Sequence, residues 1–169
     1  MFNEIKKTFG NPSPGDVVSL KDFRDRPLGS AIYNPKSQII ARRFSRRKQD
    51  LNTEFFIRRI NRAINWRKNR TKIDLNLCRI VWSESDGLPG LIIDRYGENI
   101  VIQTLTLAMD LRIESIADAI METLHPKAII ARNDSPSRTA EGLDQHTKVL
   151  RGEEPEIFNV IHNGTSFTI

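Results

Sequence analysis

Residues 84–97 read ESDGLPGLIIDRYG. Two turn-forming pairs, Asp86-Gly87 and Pro89-Gly90, are followed at once by the apolar run Leu91, Ile92 and Ile93. Glycine reaches backbone conformations that other residues resist and proline fixes φ, so Gly87, Pro89 and Gly90 serve backbone shape. The run after them reads as a strand that continues through Asp94. Gly97-Glu98-Asn99 turns the chain into another apolar stretch, NIVIQTLT, and LCRIVWSE before the motif reads as a buried strand of its own. Glu84 and Asp86 are two acids in one loop. General acid–base work also needs a cleft and perturbed pKa values. Turn chemistry is the simpler reading, with Asp86 capping its own backbone.

Downstream, residues 111–124 place Ile113, Ile116, Ala117, Ile120 and Leu124 on one helical face, and His125-Pro126 ends that helix. KAIIARND is a further strand. IFNVIHNGTSFTI gives two alternating runs around Asn163-Gly164, a pair suited to a type I′ hairpin turn. Strands, a helix and strands again predict an α+β unit with a mainly antiparallel sheet. Upstream, SPGDVVSLKD, GSAIYNP and QIIARRFS read as three short strands, with a charged hairpin loop at residues 24–27. Their spacing suggests a small, strongly bent sheet or barrel.

A helix is expected over residues 53–69, with Thr53 as N-cap and Glu54 in the first turn. Phe56, Ile60, Ala63 and Ile64 form its buried stripe, with Ile57 at the edge. Phe55, Arg59, Arg62 and Trp66 share another face. Aromatics alternating with arginines can stack bases and hold phosphates. The plainer reading has Phe55 and Trp66 packing against the next domain while the arginines stay solvated. Just before this helix, residues 42–48 read RRFSRRK, five of the seven basic.

Charge divides the chain. Residues 1–74 carry 18 Lys+Arg against 7 Asp+Glu, a net of +11, and residues 75–169 carry 8 against 14, a net of −6. A basic first part on an acidic second part points to two domains, the first facing a polyanion. The expected boundary lies between residues 72 and 73. At 169 residues the chain suffices for one ordinary domain or two small ones. No apolar run approaches a membrane span and the N-terminus does not read as a secretory signal, so a cytoplasmic protein is expected. One cysteine, Cys78, excludes an intramolecular disulfide, and its apolar strand suggests a buried, inert thiol. His125, His146 and His162 lack metal-ligand spacing, and no glycine-rich phosphate loop is present. No catalytic, metal or cofactor residue is assigned.

The motif at 84–97 resembles the central-domain signature of the class I, S-adenosylmethionine-dependent methyltransferases of 23S ribosomal RNA that act on cytosine C5. That pattern is an acid, a residue, Asp-Gly-Leu-Pro-Gly-Leu, two apolar residues, then Asp-Arg-Tyr-Gly, matched here by Glu84, Asp86, Gly87, Pro89, Gly90 and Asp94. PGDVVSL and LGSAIYNPKSQIIARRFS are similar to the family's N-terminal PUA-type RNA-binding barrel, and EFFIRRINRAINWR to the helix that closes it. The strand at Gln103-Thr104, ARND at 131–134 and EGL at 141–143 follow its central domain.

The resemblance implies a PUA-like domain over 1–72, lacking part of its first strand, and a central α+β domain over 73–169. It implies that the family's methyltransferase domain, with its cofactor loop and catalytic cysteine, lies outside this chain. Cys78 does not stand at that cysteine's position. A final run still alternating at Phe167 and Ile169 fits a fragment. The expected role is to bind ribosomal RNA and position it, through Arg42, Arg43, Arg46, Arg47, Lys48, Arg59, Arg62 and Trp66, with S-adenosylmethionine serving only the full-length parent. The alternatives are a stand-alone, non-catalytic RNA-binding adaptor, and a central domain that chiefly mediates dimerisation or docking through Trp82 and the last hairpin.

Overall fold

A computed structural model of the chain describes residues 5–70, 73–154, 159–162 and 164–168. Strands β1 (Val17–Lys21), β2 (Pro27–Tyr33) and β3 (Ala41–Ser45) form an antiparallel sheet in that order. Both pairings carry a register shift, which bends the sheet. Asp22 closes the first hairpin by accepting from the amides of Arg24 and Arg26 at 2.8 and 3.0 Å. The loop gives way to strand already at Pro27.

Helix α1 spans Thr53–Arg70. Its N-cap is Asn52, not Thr53: the Asn52 Oδ1 accepts from the Phe55 amide at 2.9 Å, three residues on, which places Thr53 inside the first turn. Phe56, Ile60 and Ala63 are buried as the spacing requires, with Ile57 and Ile64 at the margins. The stripe then continues into a charged residue, Arg67, which is also buried.

The second sheet comprises β4 (Leu77–Trp82), β5 (Leu91–Tyr96), β6 (Asn99–Thr104), β7 (Ala128–Asn133) and β8 (His146–Arg151), in that spatial order. All neighbours are antiparallel except β6 and β7. The parallel pair is joined through α2 (Leu107–Asp110) and α3 (Ile113–Leu124), as a parallel connection requires. Ile100, Ile102 and Thr104 of β6 face the core beside Leu91 and Ile93 of β5 and Ile129 and Ala131 of β7, while the alternate residues of β6 are only partly covered. Helix α1 packs on α3 and β4. A single apolar cluster therefore runs from Ile32 and Phe44 through Phe56 and Ile60 to Ile102 and Ile120.

The expected α+β architecture is present: a small antiparallel sheet, a basic helix and a mainly antiparallel five-stranded sheet. The helix expected over 111–124 starts at Ile113, because α2 forms a separate turn before it and leaves Leu111 exposed. The last hairpin is formed by β9 (Asn159–His162) and β10 (Thr165–Thr168), antiparallel. Asn163 of its turn, residues 71–72 at the charge boundary and residues 1–4, where the remainder of a first barrel strand is expected, lie outside the described residues. No described helix is long and apolar enough to cross a membrane.

Candidate nucleic-acid interface

Strand β3, the segment after it and α1 carry the basic residues. Arg43, Arg46, Arg47 and Lys48 are exposed; the Arg43 guanidinium donates to the Leu28 carbonyl at 3.4 Å. On α1, Arg58, Arg59 and Arg62 line, with Gln49 and Phe55, an open hollow of about 230 Å³. Among the described residues, Arg43, Arg46, Arg47, Lys48, Arg59 and Arg62 form no ion pair; Arg58 meets Glu54 at 3.5 Å. Burial, then the charges of Arg62 and Arg58, lowers the pKa of Arg59 below the ordinary arginine value. A guanidinium flanked by like charges and without a counter-ion favours an anion in the hollow.

The expected face of Phe55, Arg59, Arg62 and Trp66 splits. Phe55 is buried, edge-on to Phe44 with ring centroids 5.3 Å apart, so packing claims it. Trp66 is 52% exposed and is not covered by the second sheet. Arg59 spans the two parts: its Nη2 donates to the Phe44 carbonyl at 3.0 Å and its guanidinium lies on Gly87, where an added Cβ would come within 3.0 Å of Nη1. Arg58 and Gln49 were not singled out by sequence, although Arg58 stands three residues after Phe55 and completes the same stripe.

Arg42 differs from its neighbours. Its Nη1 donates to Glu84 at 3.1 Å and its Nη2 lies 3.7 Å from Glu141, while its buried Nε has no partner among the described residues. Glu141 is itself buried, accepting from Asn34 Nδ2 at 2.8 Å and from the Ser37 hydroxyl. Arg42 is thus held by two carboxylates between the first sheet and the central part. Burial raises the Glu84 pKa, but hydrogen bonds from Ser83 and the Glu84 amide, with the charge of Arg42, more than offset it and leave the carboxyl below its ordinary value.

The 84–90 loop is a 3-10 turn, Ser83–Asp86, closed by the amides of Gly87 and Leu88. Asp86 caps the start of that turn through the backbone of Trp82, as turn chemistry predicts, and also ties it to α1. It accepts from the Trp82 amide at 2.6 Å and binds the Arg67 guanidinium through both oxygens, at 3.1 and 2.9 Å. Gly90 has φ +82°, and an added Cβ would stand 2.4 Å from Thr106 Cγ2. The Pro89 carbonyl accepts from the Thr106 hydroxyl at 3.0 Å. Asp94 binds Arg79 at 2.7 and 2.9 Å. The motif therefore fastens α1, β3 and the segment after β6 to the sheet. Burial pushes the Cys78 thiol up, away from the reactive thiolate. No metal-holding cluster occurs among the described residues.

Comparison with known proteins adds to this geometry. Residues 2–46 match a PUA-like domain. The chain is 37% identical over 167 residues to the ribosomal RNA large subunit methyltransferase I of Vibrio vulnificus (strain CMCP6), covering 98% of this chain and 42% of that protein. The protein of the same name from Yersinia pestis bv. Antiqua (strain Angola) is 32% identical over 163 residues, covering 95% and 41%. The chain thus spans about two fifths of the length of the curated relatives it matches. Among solved structures, a proposed SAM-dependent methyltransferase from Streptococcus mutans superposes with a TM-score of 0.76 at 22% identity, over 94% of this chain and 41% of that one. A second, solved with SAH, gives 0.76 at 23%, over 92% and 40%. At these identities the solved structures speak to the fold.

Proposed function

We propose that this chain is the RNA-binding, substrate-positioning portion of a cytoplasmic, S-adenosylmethionine-dependent methyltransferase that modifies cytosine C5 in 23S ribosomal RNA. In this reading it divides into a PUA-like part over 1–72 and a central part over 73–169, and does not itself catalyse. The observation that carries it is the basic face of β3 and α1, where Arg43, Arg46, Arg47, Lys48, Arg59 and Arg62 form no ion pair among the described residues, in a chain similar to ribosomal RNA methyltransferases. Phosphates displace condensed counter-ions when they meet such a face, which gives affinity and register rather than base choice. Arg43, Arg46, Arg47, Lys48, Arg58, Arg59 and Arg62 make those contacts; Arg42, bound to Glu84 and Glu141, orients β3 beneath them. The hollow between Arg58, Arg59 and Arg62 does not suit S-adenosylmethionine, whose sulfonium and ammonium are positive, so the proposal assigns no cofactor contact to these residues.

Charge reversal at Arg46 and Arg47 tests this. Binding of a 23S ribosomal RNA fragment is expected to weaken at least about tenfold, and the slope of log K against log salt to flatten by about two. Unchanged affinity and slope overturn the reading.

A further inference from the structure

Trp82 is the last residue of β4 and is 57% exposed. Strict alternation would put it on the face opposite Arg79. A register shift between Arg79 and Val81 breaks the alternation. Ile80 and Val81 are consequently both buried, and Arg79 and Trp82 emerge together. The Arg79 guanidinium lies 4.5 Å from the centroid of the indole, and Asp94 grips it through both oxygens. The Trp82 amide is held by Asp86, which Arg67 holds in turn. A large aromatic that is exposed, backed by a cation and fixed at its backbone is organised before any ligand arrives. Bulges re-aim side chains in this way beside functional sites.

We propose that Trp82, backed by Arg79, is a stacking platform for an unpaired nucleobase. The inference rests on the reading of the arginine face as RNA-binding. Charge favours this occupant: the turn that begins at Ser83 ends at Gly87, on which Arg59 of the arginine hollow lies. In this reading a strand whose phosphates occupy that hollow runs beside the turn that Trp82 precedes. Every base has a π-face, so the platform recognises single-stranded character rather than sequence.

The chain has two tryptophans, Trp66 and Trp82, which makes emission a direct readout. In the whole chain carrying Trp66→Phe, a single-stranded RNA of about 12 nucleotides is expected to quench Trp82 emission. In the chain with Trp66 restored, Trp82→Ala is expected to weaken binding of that oligonucleotide about tenfold while binding of a duplex of the same length stays unchanged, and Trp82→Phe to restore most of the loss. Trp82 emission that is unmoved by a strand the chain does bind overturns the platform, as does equal loss for strand and duplex. Emission that shifts with protein concentration alone, alongside a dimer in sedimentation, overturns it in favour of a second copy of this chain. If the unaltered chain binds neither RNA, the reading of the arginine face has failed first.

Discussion

Asp86 serves two groups at once: the buried Arg67 guanidinium, which also donates to the Arg79 and Ala63 carbonyls, and the Trp82 amide. Breaking one side of a buried ion pair costs more than the pair contributes, because the remaining charge stays desolvated. Asp86→Asn weakens the pair while Arg67 keeps its carbonyl partners, and is expected to lower stability by about 1.5–3 kcal/mol. Added to it, Arg67→Met removes the charge that Asp86 faces and leaves an asparagine oxygen for the Trp82 amide. The double variant is then expected to be more stable than the sum of the two single losses predicts, by at least about 1 kcal/mol. Urea titration of the four proteins measures the coupling, and simple additivity refutes it. Nothing in the local sequence announces this pair: Asp86 precedes a glycine, which reads as turn chemistry, and Arg67 lies in a basic helix, which reads as solvated.

At the scale of elements, α1 serves two masters. Its apolar stripe covers α3 and β4, while Arg58, Arg59 and Arg62 crowd the opposite rim of the hollow. Neighbouring like charges on a helix repel one another, and here Arg62 is the largest charge acting on Arg59. Arg62→Gln is accordingly expected to leave thermal stability unchanged or slightly raised, while flattening the salt dependence of RNA binding by about one phosphate contact. A melting temperature that falls together with affinity would show that Arg62 is structural instead. The helix was legible in sequence because its apolar spacing, from Phe56 to Ile64, is regular over about two turns. Strand β8 was not, since HTKVLR offers only Val149 and Leu150 as an apolar signal. The bulge in β4 was equally hidden: Ile80 and Val81 look like ordinary alternating neighbours until the register is known. The basic run was visible, but the partners of Arg42 were not, because Glu84 and Glu141 are distant in the chain and reach it only through the fold.

For the molecule as a whole, charge and core divide the chain differently. The net charge changes sign near residues 72–73, yet the apolar cluster passes from Phe44 and α1 into the second sheet without a break. Polar ties cross the same junction: Glu141 accepts from Asn34 and Ser37, and Arg112 donates to the Gly15 carbonyl at 3.0 Å. We propose that the 72/73 boundary marks a change of surface and not of folding unit. The acidic central part then acts as a frame that holds the basic face rigid instead of competing with it for phosphate. Cutting at that boundary would bare Phe56, Ile60 and Ala63, whose partners lie on α3 and β4. Exposing such side chains costs roughly 1.5–3 kcal/mol for each large one, a loss a small sheet is poorly placed to absorb. The whole chain is therefore expected to unfold in one step, with circular dichroism and tryptophan emission sharing one urea midpoint. Residues 1–72 alone are expected to lack a cooperative transition. Two separated midpoints, or a 1–72 piece with dispersed amide resonances, would return the boundary to the core and make the arginine face an independent module.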